Sequence, residues 1–232
     1  MIGNHTITLV IPAHNEEEGL PEVLSAVPSQ VDKVIVVDNC STDGTSRVAE
    51  AHGARVVKQP VKGYGNAYRA GFAAVETELV ATADADGTYP VHVIPALAEK
   101  LLSQKLDFIS ARRRASDRAG TLNSIMRYSG NFILSATTAL LYWRLIKDSQ
   151  SGMWVFRREV LDQVRLTSGG MPMSQELKIE VWTRPSIRRR EVDVPFNYSA
   201  RRGKPKLNLW RDGFRNLLFL FARRFGIPMT GA

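Results

Sequence analysis

Residues 33–44 read KVIVVDNCSTDG, and how this stretch is read decides the fold. Residues 33–37 form an apolar, β-branched run, the mark of a strand covered on both faces. A polar cluster follows directly, and Thr42 or Asp43 is placed to cap a helix running to about His52, where Gly53 stops it. Buried strand, polar loop and helix in this order make half of a βαβ unit. The pattern repeats outward. Upstream, residues 6–11 have strand character and 16–27 helical character; downstream come a short strand at 55–57 and a helix over 66–75. A strand at 78–83, a helix at 94–103 and a strand at 107–110 complete the series. The alternation predicts an α/β fold with a mostly parallel sheet and helices on both faces.

The second half reads as an embellished C-terminal part. Residues 123–143 carry one long amphipathic helix pattern, then come a strand at 153–156, a helix near 174–183 and a strand at 189–196. A basic loop at 199–206 leads into a helix over about 207–224. There is no internal repeat and no linker, so a single domain over 1–232 is expected.

Composition narrows the possibilities. With 44% hydrophobic residues among 232, the chain can bury a full core and does not resemble a disordered segment. Cys40 is the single cysteine, so no intrachain disulfide forms, which fits a reducing compartment. The N-terminus lacks the cationic start and apolar run of a secretory leader. The nearest approach to a membrane span, residues 132–146, is short and broken by Ser135, Thr137, Thr138 and Arg144, so no crossing is expected. Lys and Arg number 31 against 23 Asp and Glu, a net charge of +8. Such an excess favours an anionic partner: nucleic acid, an acidic membrane surface or a phosphorylated substrate. The acids concentrate in the first hundred residues. Basic clusters come later, at Arg112 to Arg114, Arg188 to Arg190, Arg201 to Lys206, and Arg223 with Arg224.

In an open α/β sheet, ligands bind beyond the carboxyl ends of the strands. Four predicted strand ends carry polar clusters: Pro12, His14, Asn15 and Glu16; Asp38 to Gly44; Asp84, Asp86 and Gly87; and Ser110 leading to Arg112. Asp84 and Asp86 form a D-x-D after an apolar strand. Alternate residues of an extended segment point the same way, about 7 Å apart, so the two carboxylates can share one cation region; the rival reading is a pair of helix caps or turn acids. Hard oxygens of this kind suit Mg²⁺ or Mn²⁺, completed by diphosphate oxygens and water. Asp38 is placed to accept hydrogen bonds from a base or ribose, while Asp43 and Gly44 read as turn and cap chemistry. Lys62-Gly63-Tyr64-Gly65-Asn66 is a glycine-bearing turn with a cation opening a helix, suited to close approach to a phosphate or ribose. His14 and Cys40 have no partners for a zinc site, and no G-x-S-x-G or Cys/His pairing offers a covalent nucleophile.

Taken together, Ile11-Pro12-Ala13-His14-Asn15-Glu16, the 36–45 stretch, Lys62 to Ala67 and Asp84-Ala85-Asp86-Gly87 resemble the family 2, GT-A-fold (Rossmann-like) glycosyltransferases. Downstream, Asp148-Ser149-Gln150-Ser151-Gly152-Met153-Trp154 is similar to the D-x-x-S-G-F-R stretch of dolichol-phosphate mannose synthases and bacterial polyprenyl-phosphate glycosyltransferases. Ser174-Gln175-Glu176 resembles their F-Q-x-E helix, and Arg201 to Leu207 their R-x-G-x-S-K-L loop. The resemblance covers about residues 6–210. It implies a nucleotide-binding half over about 6–115 and an acceptor-side half over about 116–225. It also implies inverting, metal-dependent transfer of a sugar from a nucleotide-diphosphate donor, GDP-mannose or a UDP-hexose, to a polyprenyl phosphate. Pro12, His14, Glu16 and Asp38 would line the nucleoside pocket, and Lys62 joins this donor-side set. Asp84 and Asp86 would hold the metal and diphosphate. Arg112 and Arg127 would face the lipid phosphate or the diphosphate, Ser151 lies in the acceptor motif, and Arg202 and Lys206 would close over it. Asp86, Glu176 and Arg202 are the catalytic candidates. This chain departs from the pattern in having His14 where Tyr is frequent and Asn39 where a second Asp is common. Met153-Trp154 replaces Phe-Arg, and Pro205 replaces Ser.

A phosphate acceptor is already ionised at neutral pH and needs no strong general base. With a hydroxyl acceptor, the alternative, Glu176 becomes the base candidate; with a phosphate acceptor it is a metal or positioning contact, and the plain reading is an exposed helix acid. The patterns at 123–143 and 207–225 set Leu, Ile, Phe and Trp beside Arg, the makeup of a helix lying in a membrane interface. The expected location is cytoplasmic, peripheral at the inner face of a membrane, docked on its surface or on a membrane protein. A nucleic-acid partner is not expected. The arginines are not interleaved with stacking aromatics, and the strand-end acids repel phosphate without a metal. A sugar-1-phosphate nucleotidyltransferase would show a glycine-rich basic loop after the first strand, which residues 12–16 are not.

Overall fold

The computed structural model describes residues 1–115, 122–197 and 209–227. The elements follow in chain order as β1 (Ile7–Ala13), α1 (Leu20–Ser25), β2 (Lys33–Asp38), α2 (Thr45–Ala51), β3 (Arg55–Lys58) and α3 (Tyr64–Ala73). Next come β4 (Leu79–Thr82), a 3₁₀ turn at Val91–Val93, α4 (Ile94–Ser103), β5 (Phe108–Ala115) and α5 (Leu122–Tyr142). The chain continues through β6 (Trp154–Arg157), α6 (Val160–Gln163), α7 (Met173–Thr183), β7 (Arg189–Phe196) and α8 (Leu209–Phe225).

The strands form one seven-stranded sheet in the order β3-β2-β1-β4-β6-β5-β7. β1 pairs in parallel with β2 and β4, and β2 with β3. β6 alone runs antiparallel, between β4 and β5, while β7 is parallel to β5. This reversal places the site. The carboxyl ends of β1, β2, β4 and β5 lie along one edge, and β6 brings its amino end, preceded by Ser151 and Gly152, to that same edge. The mostly parallel α/β sheet expected from the alternation is present. β5 reaches Ala115 rather than stopping near Ser110, because β7 gives it partners from Phe108↔Arg189 to Ala115↔Phe196. The first helix begins only at Leu20; before it, Asn15, Glu16 and Glu17 donate their backbone N–H groups to Ser41, Thr45 and Asp43, across to the β2–α2 connection.

Strand alternation divides the core. On one face Ile7, Leu9 and Ile11 pack against Leu20 and Val23 of α1, Ala49 of α2, and Ile94, Leu97 and Leu101 of α4. On the other, Val10, Ile35, Val37 and Val80 meet Tyr68 and Phe72 of α3 and Met173, Leu177 and Val181 of α7. Phe108, Trp154 and Phe156 add aromatic weight to this second layer, all at 0% exposure. Each such side chain contributes about 1.5–3 kcal/mol of burial. A third cluster, Leu134, Ile179 and Leu220, joins α5, α7 and α8 outside the sheet layers. α7 is therefore enclosed between two apolar neighbours, with every residue from Met173 to Trp182 buried, Glu176, Lys178 and Glu180 included. Among the described residues, no helix is long and apolar enough to cross a membrane.

Candidate active site

Two loops at the sheet edge are laced together first. Thr42 N donates to Asn15 Oδ1 at 2.8 Å and Asn15 N to Ser41 Oγ at 3.0 Å, with Asn15 in the left-handed region at φ 52°. Glu16 N donates to Thr45 Oγ1 at 2.8 Å and Gly44 N to Glu17 Oε2 at 2.7 Å. Asp43 accepts from Thr45 N at 3.0 Å and from Glu17 N at 3.2 Å, the turn chemistry expected of it. The cap expected at Thr42 or Asp43 falls instead on Gly44, without a side-chain cap bond, because the Asp43 carboxylate closes the turn to Thr45. Pro12 lies half-buried in β1, in register with Val37.

Asp38, at the end of β2, is 3% exposed. It accepts from Ser41 N at 2.9 Å, from Lys58 Nζ at 2.7 Å and from Ser46 Oγ. Burial alone would raise its carboxyl, but hydrogen bonds from Lys58, Ser41 and Ser46 outweigh that and hold it well below the usual carboxylate range. Asp38 thus braces its own loop, a departure from the expectation that it faces a base or ribose.

The turn entering α3 is the hub. Lys62 Nζ lies 2.9 Å from His14 Nε2; an ammonium can only donate, so Nε2 is the acceptor of this pair. Gly63 N donates to Asn39 Oδ1 at 2.6 Å, and Tyr64 Oη to Asp84 Oδ1 at 3.3 Å. Burial and the adjacent Asp84 carboxylate push the Tyr64 hydroxyl well up, so it remains a donor. Gly63, at φ +149°, and Gly65 leave no room for a Cβ against the carbonyls of Gly169 and Ser168, so glycine is required at both positions. The structure therefore brings His14, Lys62 and Asp84 into one connected group.

The D-x-D departs from an extended pair. Residues 85–86 already form a turn, and Gly87 follows at φ 77°. Asp86, 8% exposed, accepts from Thr88 Oγ1 at 2.6 Å and Thr88 N at 3.1 Å through Oδ1. Asp84 is half-buried and faces Tyr64 and Gly152. A Cβ on Gly152 would fall 3.4 Å from Asp84 Oδ1 and 2.5 Å from Tyr64 Oη, so the missing side chain keeps open the space beside the carboxylate. Among the described residues, no group of three or more His, Cys, Asp or Glu is placed to hold a metal ion. The Asp84 carboxylate beside this opening is a hard oxygen donor of the kind that suits a divalent ion whose other positions are supplied by a diphosphate and water, with Asp86 two residues on.

The acceptor-side residues are placed differently from expectation. Ser151 is 0% exposed and donates to the Ala111 carbonyl, tying the segment before β6 to β5. Arg112 pairs with Asp193 through Nε and, at 2.6 Å, through Nη2; Arg114 reaches the same carboxylate at 2.8 Å. Between them Arg113 points to the opposite face by strand alternation. There it forms a two-pronged pair with Asp148 at 2.8 Å and lies over the Phe196 ring. Burial would raise the Asp148 carboxyl, but Arg113 holds it well below the ordinary range. The signal for Arg113 was in the sequence: three successive arginines on a strand cannot all face one ligand. Glu176 is 0% exposed, with its carboxylate enclosed by Thr167, Ser168 and Arg223. It is not an exposed helix acid: its carboxylate is turned into the protein. Arg127 lies on α5, but its side chain is outside the described residues, as are Arg202 and Lys206 altogether.

The profile of the family described as "Glycosyl transferase family 2" matches residues 8–165. The chain belongs to this family. Among its relatives, the dolichyl-phosphate hexose transferase of Haloferax volcanii is 30% identical over 211 residues, 89% of either chain. The low-salt glycan biosynthesis hexosyltransferase Agl6 of the same organism is 28% identical over 228 residues, 95% of this chain and 54% of that one. The chain thus spans about half the length of several curated relatives that it matches. Glucosyl-3-phosphoglycerate synthase of Mycobacterium tuberculosis, solved with Mn²⁺, UDP and glucosyl-3-phosphoglycerate, superposes at a TM-score of 0.76 with 25% identity. That likeness covers 99% of this chain and 83% of the other, and places the fold in the GT-A class.

Proposed function

We propose that this family 2 glycosyltransferase moves a hexose from a nucleoside-diphosphate donor, with a divalent metal, to a polyprenyl-type lipid phosphate at a membrane surface. The observation that carries the acceptor class is an apolar stripe left uncovered on α8. Phe214, Leu218, Phe221 and Phe225 are 63%, 45%, 42% and 66% exposed and recur at helical spacing. Arg211 and Arg224 are exposed on the same helix. On α5, which packs against α8, Phe132, Leu140 and Trp143 are 73%, 72% and 78% exposed, Trp143 just past the helix end. An apolar, Arg-bordered surface of this extent suits an acidic lipid interface. The dolichyl-phosphate name of a relative covering most of both chains supports the same class.

On the donor side, His14, Lys62, Asp84 and Asp86 stand at the carboxyl edge of the sheet, where the nucleotide is placed. A bound Mg²⁺ or Mn²⁺ would be held by Asp84 and Asp86 and would offset the charge that grows on the leaving diphosphate. Tyr64 orients Asp84 by its hydroxyl bond. The acceptor phosphate needs no base, which agrees with the enclosed Glu176; Arg127, Arg202 and Lys206 are the candidates to meet its charge. In-line attack opposite the leaving group inverts the anomeric centre. A phosphorylated hydroxyl acceptor is the second reading, favoured by the glucosyl-3-phosphoglycerate complex of the structural neighbour.

The test supplies the purified chain with Mn²⁺ and GDP-mannose, UDP-glucose or UDP-GlcNAc, with polyprenyl phosphate in vesicles or with 3-phosphoglycerate in solution. Transfer to the lipid, lost at least about 100-fold in Asp84→Asn and Asp86→Asn, is expected; 100-fold corresponds to about 2.7 kcal/mol of transition-state stabilisation. Transfer to 3-phosphoglycerate alone would replace the lipid reading.

A further inference from the structure

Helix α8 reaches the donor turn through a continuous series of polar contacts, and Glu176 stands in the middle of it. Arg223 of α8 donates to Glu176 Oε1 at 2.5 Å and to Glu180 Oε1, bridging two acids one turn apart on α7. The Glu176 carboxylate also accepts from Thr167 N at 3.0 Å, Thr167 Oγ1 at 2.7 Å and Ser168 N at 2.9 Å. It thereby fixes the backbone of 167–169. That backbone is the platform for the donor turn: the Gly169 carbonyl accepts from Asn66 N at 3.0 Å, and Gly63 and Gly65 lie against the carbonyls of Gly169 and Ser168. The supported turn carries Lys62 to His14, Gly63 to Asn39, and Tyr64 to Asp84.

The electrostatics give Arg223 its weight. Glu176 is 0% and Glu180 8% exposed. Glu180 has a second cation, Arg184, at 2.7 Å; for Glu176, among the described residues, Arg223 is the paired cation. A buried carboxylate stripped of its cation is unfavourable and either protonates or moves. Either response loosens the hydrogen bonds that hold 167–169.

We infer that Arg223 is a positioning residue that ties the seating of α8 to the shape of the donor turn, so that docking α8 on an acidic lipid surface tightens nucleotide binding. This rests on the proposed lipid-docking role of the α5–α8 face. The Arg223 side chain is 21% exposed and turned toward α7, whereas Phe214, Leu218, Phe221 and Phe225 form the outward stripe. Docking and coupling therefore use different residues and can be separated.

The experiment uses the full chain, Mn²⁺ and either UDP or GDP as probe, with vesicles of phosphatidylglycerol and phosphatidylcholine that contain no polyprenyl phosphate. Nucleotide affinity is measured by titration calorimetry with and without vesicles, and vesicle binding by flotation with and without nucleotide. Vesicles are expected to tighten nucleotide binding about 5- to 10-fold, and nucleotide to tighten vesicle binding by the same factor, because coupling is reciprocal. Arg223→Lys, whose single ammonium does not span both acids, is expected to float normally while the coupling ratio falls to about 1. Wild-type protein that floats but binds nucleotide equally well in both conditions overturns the coupling, as does Arg223→Lys with the full ratio. Wild-type protein that fails to float overturns the lipid-docking reading instead. In that case the positioning role stands or falls on vesicle-free Arg223→Lys, which must show a raised KM for donor with kcat retained.

Discussion

Substituting Gly152 by alanine probes the geometry of the site at a single atom. The added Cβ would lie 2.5 Å from Tyr64 Oη, where ordinary contact begins at 3.4 Å, so one group must give way by about 0.9 Å. The glycine backbone cannot supply that movement. Its N–H donates to Tyr89 Oη at 2.9 Å, and its carbonyl accepts from Thr82 Oγ1 at 2.8 Å and from Tyr68 Oη at 3.3 Å. Tyr64 must therefore retreat, although it rests edge-on against Tyr68, which is itself 0% exposed. Overpacking of this kind costs about 1–3 kcal/mol. Retreat also breaks the Tyr64–Asp84 hydrogen bond, and a bond to a charged group contributes about 1.5–3 kcal/mol. Removing the hydroxyl beforehand should relieve the clash. In the Tyr64→Phe background the alanine substitution should cost about 1–2 kcal/mol less than in wild type, a coupling read from urea unfolding of the four proteins in the cycle. Mn²⁺-dependent UDP affinity should fall about tenfold, equivalent to 1.4 kcal/mol, in Gly152→Ala and should not recover in the double variant. There the Cβ still stands 3.4 Å from Asp84 Oδ1 and the orienting hydroxyl is absent. Strictly additive stabilities, or wild-type UDP affinity in Gly152→Ala, would refute the placement of Asp84 beside this opening.

Two further outcomes test the buried charges behind the site. Lys178 is 0% exposed and donates to the Asp148 carbonyl; burial lowers its ammonium to about 8, against the raising effect of Asp148 and Glu191. An unfolded lysine holds its proton to about 10.4, so between these values the unfolded chain binds more protons and stability rises with pH, by up to about 3 kcal/mol. Urea unfolding from pH 7.5 to 9.5 should show that rise in wild type but not in Lys178→Met, and equal slopes would refute it. Arg113→Ala strands the Asp148 carboxylate, 3% exposed, without its two-pronged partner. It should cost about 3–5 kcal/mol, of which Arg113→Ala/Asp148→Asn regains a part; a loss under 1 kcal/mol by chemical unfolding would show that the pair carries little.

What could be read in the chain divides along a physical line between local and non-local causes. β2, α4 and β7 were legible nearly to the residue, because apolar runs and helical spacing are written in consecutive positions. So was the edge of the sheet that carries His14, Lys62, Asp84 and Asp86, since parallel strands place polar ends together whatever their order. The bend at Asp86 was locally encoded too: Gly87 and Thr88 directly after the aspartate make an Asx turn, the turn-acid alternative to an extended pair. The direction of β6 was not legible, because four apolar residues look the same whichever way they run. Nor was the fate of Glu176. Alone on a helix, an acid reads as solvated or catalytic. Its enclosure follows from Arg223, which lies 47 positions later in the chain, and from a loop held by backbone groups that carry no sequence signature. The same holds for Asp38 with Lys58 and for Arg112 with Asp193, where each charge found its partner on another strand. Polar residues at a strand end thus divide into those that brace the edge and those that gather at the turn entering α3. Among these strand-end groups, Asp38, Arg112 and Ser151 brace, while His14, Lys62 and Asp84 converge on the donor turn.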